Sequence, residues 1–181
     1  MKKIMFNDKY GLTQAVLEGR KTQTRRTFLK PGEENMLDDI TPEYLISIRS
    51  RYKVGETVAI AQPYADITPQ VDWVKCMIRK ETLGWNNKMF VRAEDMPHHI
   101  RITNIRVQRL QDISDEDCLK EGIWRDDNVG LEGTTYWYHG LANSSFRTPQ
   151  EAYASLIDRI SGKGTWVSNP YVFVYDFELI D

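Results

Sequence analysis

The sequence predicts an α+β fold, a small β-sheet or barrel core with three helices packed on it and an insertion-rich middle. Three observations predict it. Two helix starts carry capping residues at Ser114 and Thr148. A third helical pattern runs into a glycine stop at Gly19, and residues 171–180 alternate as a strand. A length of 181 residues suits one domain over 1–181, with an insertion around residues 63–87.

The elements follow in chain order. Between Asn7 and Glu18, Tyr10, Leu12, Ala15 and Val16 recur at helical spacing, and Gly19 supplies the left-handed stop. Residues 31–53 look irregular or weakly helical. Val54-Gly55-Glu56-Thr57-Val58-Ala59-Ile60-Ala61 predicts a strand entered through a glycine turn. After the excursion from Pro63 to about Asn87, Phe90-Val91-Arg92 predicts a short strand and Ile100 to Leu110 a longer one. In the longer strand the apolar positions are 100 and 102, then 105 and 107. That slip of phase predicts a β-bulge near Thr103 and Asn104, and bulges bend strands as a closed barrel requires.

Ser114 caps a helix with Asp115, Glu116 and Asp117 in its first turn, closed by Gly122 after Glu121. Thr148-Pro149-Gln150-Glu151 combines a capping threonine, a proline at the first helical position and a glutamate three residues after the cap, and predicts a helix to about Ile160. In the final strand Tyr171, Phe173, Tyr175, Phe177 and Leu179 share one face. The other face changes from Val172 and Val174 to Asp176 and Glu178, so burial on both sides gives way to burial on one.

Composition excludes several classes. With 41% hydrophobic and 28% charged residues the chain is neither collagen-like nor disordered. The opening Met1 to Asp8 has the charged start of a signal peptide, but its apolar stretch is too short, and no run approaches the ~20 apolar residues of a membrane span. Cys76 and Cys118 are far apart, without CxxC spacing. A cytoplasmic protein with reduced thiols and no membrane partner is expected. His98, His99 and His139 are too sparse for a metal site, so neither metal nor other cofactor is expected.

The net charge of −2 conceals an asymmetry, because residues 1–30 carry +6 and the remainder −8. The excess concentrates in Arg20-Lys21-Thr22-Gln23-Thr24-Arg25-Arg26. Such a run is either a solvated face or an anion-binding segment. The mixture of hydroxyls with guanidiniums suits phosphate or carboxylate, and the run leaves a helix directly for a strand that fixes side-chain directions. In a strand Thr22, Thr24 and Arg26 share one face, and Lys21, Gln23 and Arg25 the other. For Lys21 to act with Thr24 it must still lie in the turn that leaves the helix. Neighbouring Arg20, Arg25 and Arg26 disfavour an ammonium there, which makes Lys21 a better base.

Leu17-Glu18-Gly19-Arg20-Lys21-Thr22-Gln23-Thr24-Arg25-Arg26 resembles the signature of ASCH domains. Tyr52 to Val58, Ile105 to Gly122, and Ser161-Gly162-Lys163 through Asn169 to Val174 agree in order, the last two being similar to the longer phage and prophage-associated branch. The resemblance implies a PUA-like β-barrel, mostly antiparallel, that handles a nucleoside or single-stranded RNA. It also implies hydrolysis of the acetyl amide of acetylcytidine. Lys21 would be the proton acceptor, Thr24 the nucleophile and Glu121 the proton donor, with Arg20, Thr22, Arg25, Arg26 and Trp124 gripping the nucleotide. Two alternatives use the same residues: a non-catalytic RNA-binding module, or a ribonuclease.

Threonine beside lysine, with a carboxylic acid opposite, supplies the nucleophile, base and acid that amide hydrolysis needs, and Arg26 could hold the oxyanion or a phosphate. Glu121 has a plainer reading as solvated surface at a helix end, where its charge is unfavourable. Trp124 and Tyr136-Trp137-Tyr138 are either packing or rings that stack on bases. Arg101, Arg106 and Arg109 could extend a basic surface along the long strand.

Overall fold

A computed structural model describes residues 1–28, 40–67, 80–127, 133–141 and 145–180. It is a mixed α+β structure built on a five-stranded sheet in the order β1-β3-β4-β7-β2. The strands are β1 (Lys2–Ile4), β2 (Gln23–Thr27), β3 (Thr57–Ile60), β4 (His99–Arg109) and β7 (Tyr171–Leu179). A separate hairpin joins β5 (Trp124–Asp126) to β6 (Thr135–Trp137). Only β1 and β3 run parallel within the five; the other three pairings are antiparallel.

The expected barrel does not close. β1 and β2 are the two edges of the sheet, and no backbone ladder joins them among the described residues. β1 is only three residues long, and a side chain spans the gap instead: Arg26 Nη2 donates to the Met5 carbonyl at 2.6 Å. The bulge that was expected to assist closure is present, as a register shift between Ile102 and Asn104 where β4 pairs with β7.

β7 is the centre of the core. Val172, Phe173, Val174 and Tyr175 are buried, so both faces are covered, whereas Glu178 near its end is exposed. Phe173, Tyr175 and Phe177 pack with Phe6, Phe28 and Tyr52 through tilted, stacked and edge contacts. The opposite face receives α4 (Asp115–Lys120) and α5 (Pro149–Ser161). Both helices start as their caps predict, Ser114 Oγ accepting from the Asp117 amide at 3.2 Å and Thr148 Oγ1 from the Glu151 amide at 3.1 Å.

The other elements differ from expectation in ways that tertiary contact explains. The first helical segment divides at Gly11 (φ 63°) into a 3-10 turn over Asp8–Tyr10 and α1 (Leu12–Leu17). α2 (Pro42–Arg49) is a regular helix within the weakly helical segment, capped by Thr41. The strand expected at Phe90-Val91-Arg92 is instead the end of a 3-10 turn over Lys88–Phe90, because Asn87 Oδ1 accepts from the Met89 amide and curls the backbone. Part of the excursion, α3 (Tyr64–Ile67), covers the outer side of β3, where Tyr64 and Ile67 pack against Ala59, Ala61, Val91 and Met96. Residues 68–79 of the excursion, Cys76 included, lie outside the described residues. Cys118 is a buried free thiol, pushed up to about 12 by burial. Short α6 (Thr165–Ser168) precedes β7. No helix among the described residues is long and apolar enough to cross a membrane.

Candidate functional site

The site begins with the turn after α1. Gly19 (φ 72°) reverses the chain, and the Arg20 and Lys21 amides both donate to the Ala15 carbonyl at 2.9 Å. Lys21 therefore still belongs to the turn, as joint action with Thr24 requires. Thr22 then fixes the turn through its backbone, its amide donating to Lys120 O at the end of α4 and its carbonyl accepting from the Phe177 amide. Those two bonds bring Lys21 against Glu121, which follows Lys120 in sequence.

Lys21 Nζ donates to Glu121 Oε2 at 2.5 Å, to the Glu121 carbonyl at 2.9 Å and to the Gln23 carbonyl at 2.7 Å. All three donors of an ammonium are thus used. The side chains are 1% and 6% exposed, so this is a fully buried ion pair. Burial pulls the Lys21 amine below the ordinary lysine value; the Glu121 carboxylate opposes the shift, and Arg26 and Arg25 add smaller downward pushes. The expected direction holds, but desolvation outweighs the neighbouring cations as its cause.

Glu121 is not surface. It sits at the C-cap of α4, where the helix dipole disfavours an anion, and two buried cations compensate. The second is Arg25, whose Nη1 donates to Glu121 Oε1 at 3.0 Å and also to Gln23 Oε1, while Nη2 donates to Asp117 Oδ2 at 3.0 Å. Gly122 (φ 103°) lets the chain turn directly after Glu121, and a Cβ there would meet Leu12 Cδ2 at 3.2 Å. A larger residue would press on α1 and strain the backbone.

Beyond Arg25 the network continues. Asp117 also accepts from Arg106 at 2.6 Å and from Gln23 at 3.2 Å, and Asp176 accepts from Arg106 at 2.5 Å, Gln23 at 2.6 Å and Asn104 at 3.1 Å. Burial alone would raise Asp117, yet hydrogen bonds from Arg25 and Gln23 and the charge of Arg106 hold its carboxyl below the usual value. The proposed basic surface on β4 therefore does not form. Arg106 is neutralised here, Arg101 pairs with Glu178, and Arg109 lies over the Tyr171 ring at 3.8 Å.

A cavity of about 450 Å³ opens beside this pair, between β2, residues 5–7 and α5. Lys21, Thr24, Arg25, Arg26, Glu121 and Tyr153 are among its lining residues. Lys21, Thr24 and Glu121 thus share one cavity, of a size within the ~300–1,000 Å³ usual for small-ligand sites. No hydrogen bond within the described residues occupies the Thr24 hydroxyl. Burial pushes the Tyr153 hydroxyl well above its ordinary value, so Tyr153 lines the cavity as a neutral donor. Among the described residues no His, Cys, Asp and Glu group is placed to hold a metal ion.

The remaining expected residues lie elsewhere. Arg20 is paired with Glu18 at 2.7 Å and sits 3.7 Å over the Trp124 ring, which in turn stacks on Trp137 at 5.1 Å and 3°. That stack ties the β5–β6 hairpin to the α1 turn, so Trp124 and Arg20 satisfy each other; neither lines the cavity among its described residues. Tyr138 is core, fully buried with its hydroxyl 2.8 Å from Ser155 Oγ.

No family model matches the chain, and none of the curated proteins matches it. Among solved structures the chain is similar to a protein of the DUF984 family from Enterococcus faecalis V583, at 15% identity and a TM-score of 0.44, over 100% of this chain and 81% of that one. It is also similar to an ASCH domain from Lactobacillus crispatus JV V101, at 12% identity and a TM-score of 0.40, over 96% of this chain and 75% of that one.

Sequence reasoning missed Asp117 and Tyr153, which act on the site through Arg25 and the cavity wall. Asp117 was visible only as an N-terminal helix acid, and its partners are 92 and 11 residues away. It also missed Arg49 and Arg51, although Arg49-Ser50-Arg51-Tyr52-Lys53 places three cations around a tyrosine.

Proposed function

We propose that the chain is an ASCH-type, PUA-like domain that handles RNA or nucleosides and hydrolyses the amide of an acylated cytidine-type nucleoside. The observation that carries this reading is the buried Lys21–Glu121 contact beside Thr24 on one cavity. When substrate enters the cavity, one proton can pass from Lys21 Nζ to Glu121 Oε2 along their 2.5 Å contact, leaving an amine and a carboxylic acid. In that arrangement the pair is a base and an acid at once.

The step balances as follows. Thr24 Oγ1 attacks the acyl carbon while Lys21 Nζ takes its proton, and Glu121 gives its proton to the leaving exocyclic nitrogen as the C–N bond breaks. The products are the free amino nucleoside and an acyl ester on Thr24. Water then attacks the ester carbon with Glu121 taking its proton, the acyl C–Oγ1 bond breaks as Lys21 returns a proton to Thr24 Oγ1, and the acyl group leaves as its carboxylic acid. Lys21 must release one of its three hydrogen bonds to serve as base, and the Gln23 carbonyl or Glu121 carbonyl is the partner it gives up. Arg26, exposed and lining the cavity, supplies donors for the oxyanion.

The test is incubation with acetylcytidine, alongside Lys21→Ala, Thr24→Ala and Glu121→Gln. Cytidine release by the wild-type chain, reduced on the order of 10²–10⁴-fold in each variant, is the expected result. RNA binding that weakens with salt, without turnover, would assign the cavity to a binding module instead. Cleavage of a single-stranded RNA would assign it to a ribonuclease.

A further inference from the structure

A second cavity, of about 410 Å³, adjoins the first and shares Met5, Arg26 and Thr27 with it. Its chemistry is different. Its cationic lining residues are Lys3, Arg26, Arg49 and Arg51, and no Asp or Glu stands among its described lining residues. The first cavity, by contrast, has Glu121 against Lys21 and Arg25.

Three of the four cations are available. Lys3 is not, since its amine donates to the Met89 carbonyl at 2.7 Å and the Val91 carbonyl at 2.6 Å, so it contributes charge without a free donor. Arg49 and Arg51 are exposed, and no carboxylate pairs with either among the described residues. Arg51 lies 5.6 Å from the Tyr52 ring, and Arg26 gives one nitrogen to the Met5 carbonyl, leaving its other donors. The inner wall is aromatic. Tyr52, Phe173 and Tyr175 are each 4% exposed or less, and Tyr175 is held by Ser50 Oγ at 3.2 Å.

Guanidiniums without carboxylates, on a rigid aromatic wall, recognise an anion attached to a planar or sugar-like body. A phosphate is the anion that several forked donors match best. We infer that this second cavity binds the phosphate of a nucleotide whose base enters the first cavity, the ligand crossing at Arg26. The choice of a nucleotide over another phosphorylated molecule rests on the function proposed above. On this inference the substrate class is a phosphorylated nucleoside, or a nucleotide within a strand, and a free nucleoside binds more weakly.

Calorimetric titration with cytidine, cytidine 5′-monophosphate and a short single-stranded oligocytidylate tests it, on the wild-type chain and on Arg49→Glu/Arg51→Glu. The expected result is that the monophosphate binds about tenfold or more tightly than cytidine, and that the double substitution closes the gap. As a check independent of the variant, added salt should weaken wild-type binding of the monophosphate and leave cytidine unchanged. Equal affinity for cytidine and its monophosphate overturns the inference, as does inorganic phosphate binding as tightly as the monophosphate. An oligonucleotide that binds more tightly than the monophosphate assigns the phosphate to a strand; the reverse order assigns it to a mononucleotide. Acetylcytidine turnover in the same preparations separates the two readings. Phosphate preference without turnover overturns the hydrolase and leaves this site, whereas turnover without phosphate preference overturns this site alone.

Discussion

Arg25 and Arg26 are adjacent in sequence and opposite in circumstance. Because β2 is extended they point to opposite faces of the sheet. Arg25 has 1% of its side chain exposed and divides its donors between Glu121 and Asp117. Arg26 is exposed, carries no carboxylate partner among the described residues, and reaches across the sheet opening to Met5 and to both cavities. The difference teaches how little formal charge says about available charge. Residues 1–30 carry +6, yet Lys21 and Arg25 are neutralised inside the fold and Arg20 is paired with Glu18. Of the four cations in the run, Arg26 is the one left to meet a ligand among the described contacts.

The comparison breaks most visibly in stability. Arg25→Leu leaves Glu121 and Asp117 short of a buried partner and should cost about 3–5 kcal/mol, whereas Arg26→Leu should stay within about 0.5 kcal/mol. Urea unfolding of the two variants measures both. Losses of similar size would show that Arg25 is no more structural than its neighbour. Joint replacement of Lys21 by Met and Glu121 by Leu should cost less than the sum of the two single changes, the remaining loss being that Arg25 keeps Asp117 but no longer Glu121.

A second effect is smaller and depends on pH. Lys21 titrates lower in the folded chain than the ordinary 10.5, so the folded chain binds fewer protons between those two values. Stability therefore rises with pH across that window, and below the folded value the cost of the buried charge is constant. Asp117 has the opposite sense. Its carboxyl is held below the usual 3.8, so its contribution is complete above 3.8 and is lost as pH falls through the folded value. Stability profiles of Lys21→Met and Asp117→Asn should flatten at the alkaline and acidic ends respectively. If the lysine is the base, turnover should rise with pH through the same lowered value and level off before 10.5.

The extent to which this was legible depends on the range of the interaction. Caps at Ser114 and Thr148, the stop at Gly19 and the two-sided burial of Val172 to Tyr175 are local, and each is where the residues indicate. β1, β5 and β6 are three residues each and owe their conformation to partners far along the chain, so no periodicity announces them. Closure of a barrel was likewise a tertiary question that strand patterns leave open. In the site, alternation separates Arg25 from Arg26 but does not say which face is buried. The pairing of Lys21 with Glu121 spans 100 residues, and only the resemblance to ASCH domains placed the two together. The charge pattern drew attention to Arg20 through Arg26, while Arg49 and Arg51 stand at the end of the weakly helical segment, where α2 gives way to an extended chain.

The smallest effects come from groups that hold the site's frame without touching the cavity. Ser114→Ala removes the cap of the helix that delivers both Asp117 and Glu121, and should cost about 1 kcal/mol in urea unfolding. Arg20→Ala removes the cation over Trp124 and should cost about 0.5–1 kcal/mol, since the stack is partly exposed. Their value lies in what they should do to turnover. The Ser114 cap acts on Glu121 through one helix turn after another, so its loss should lower kcat as well as stability, whereas the Arg20–Trp124 contact anchors the hairpin and should leave kcat unchanged. Equal effects on kcat would mean that the position of Glu121 is set by the hairpin and the helix together.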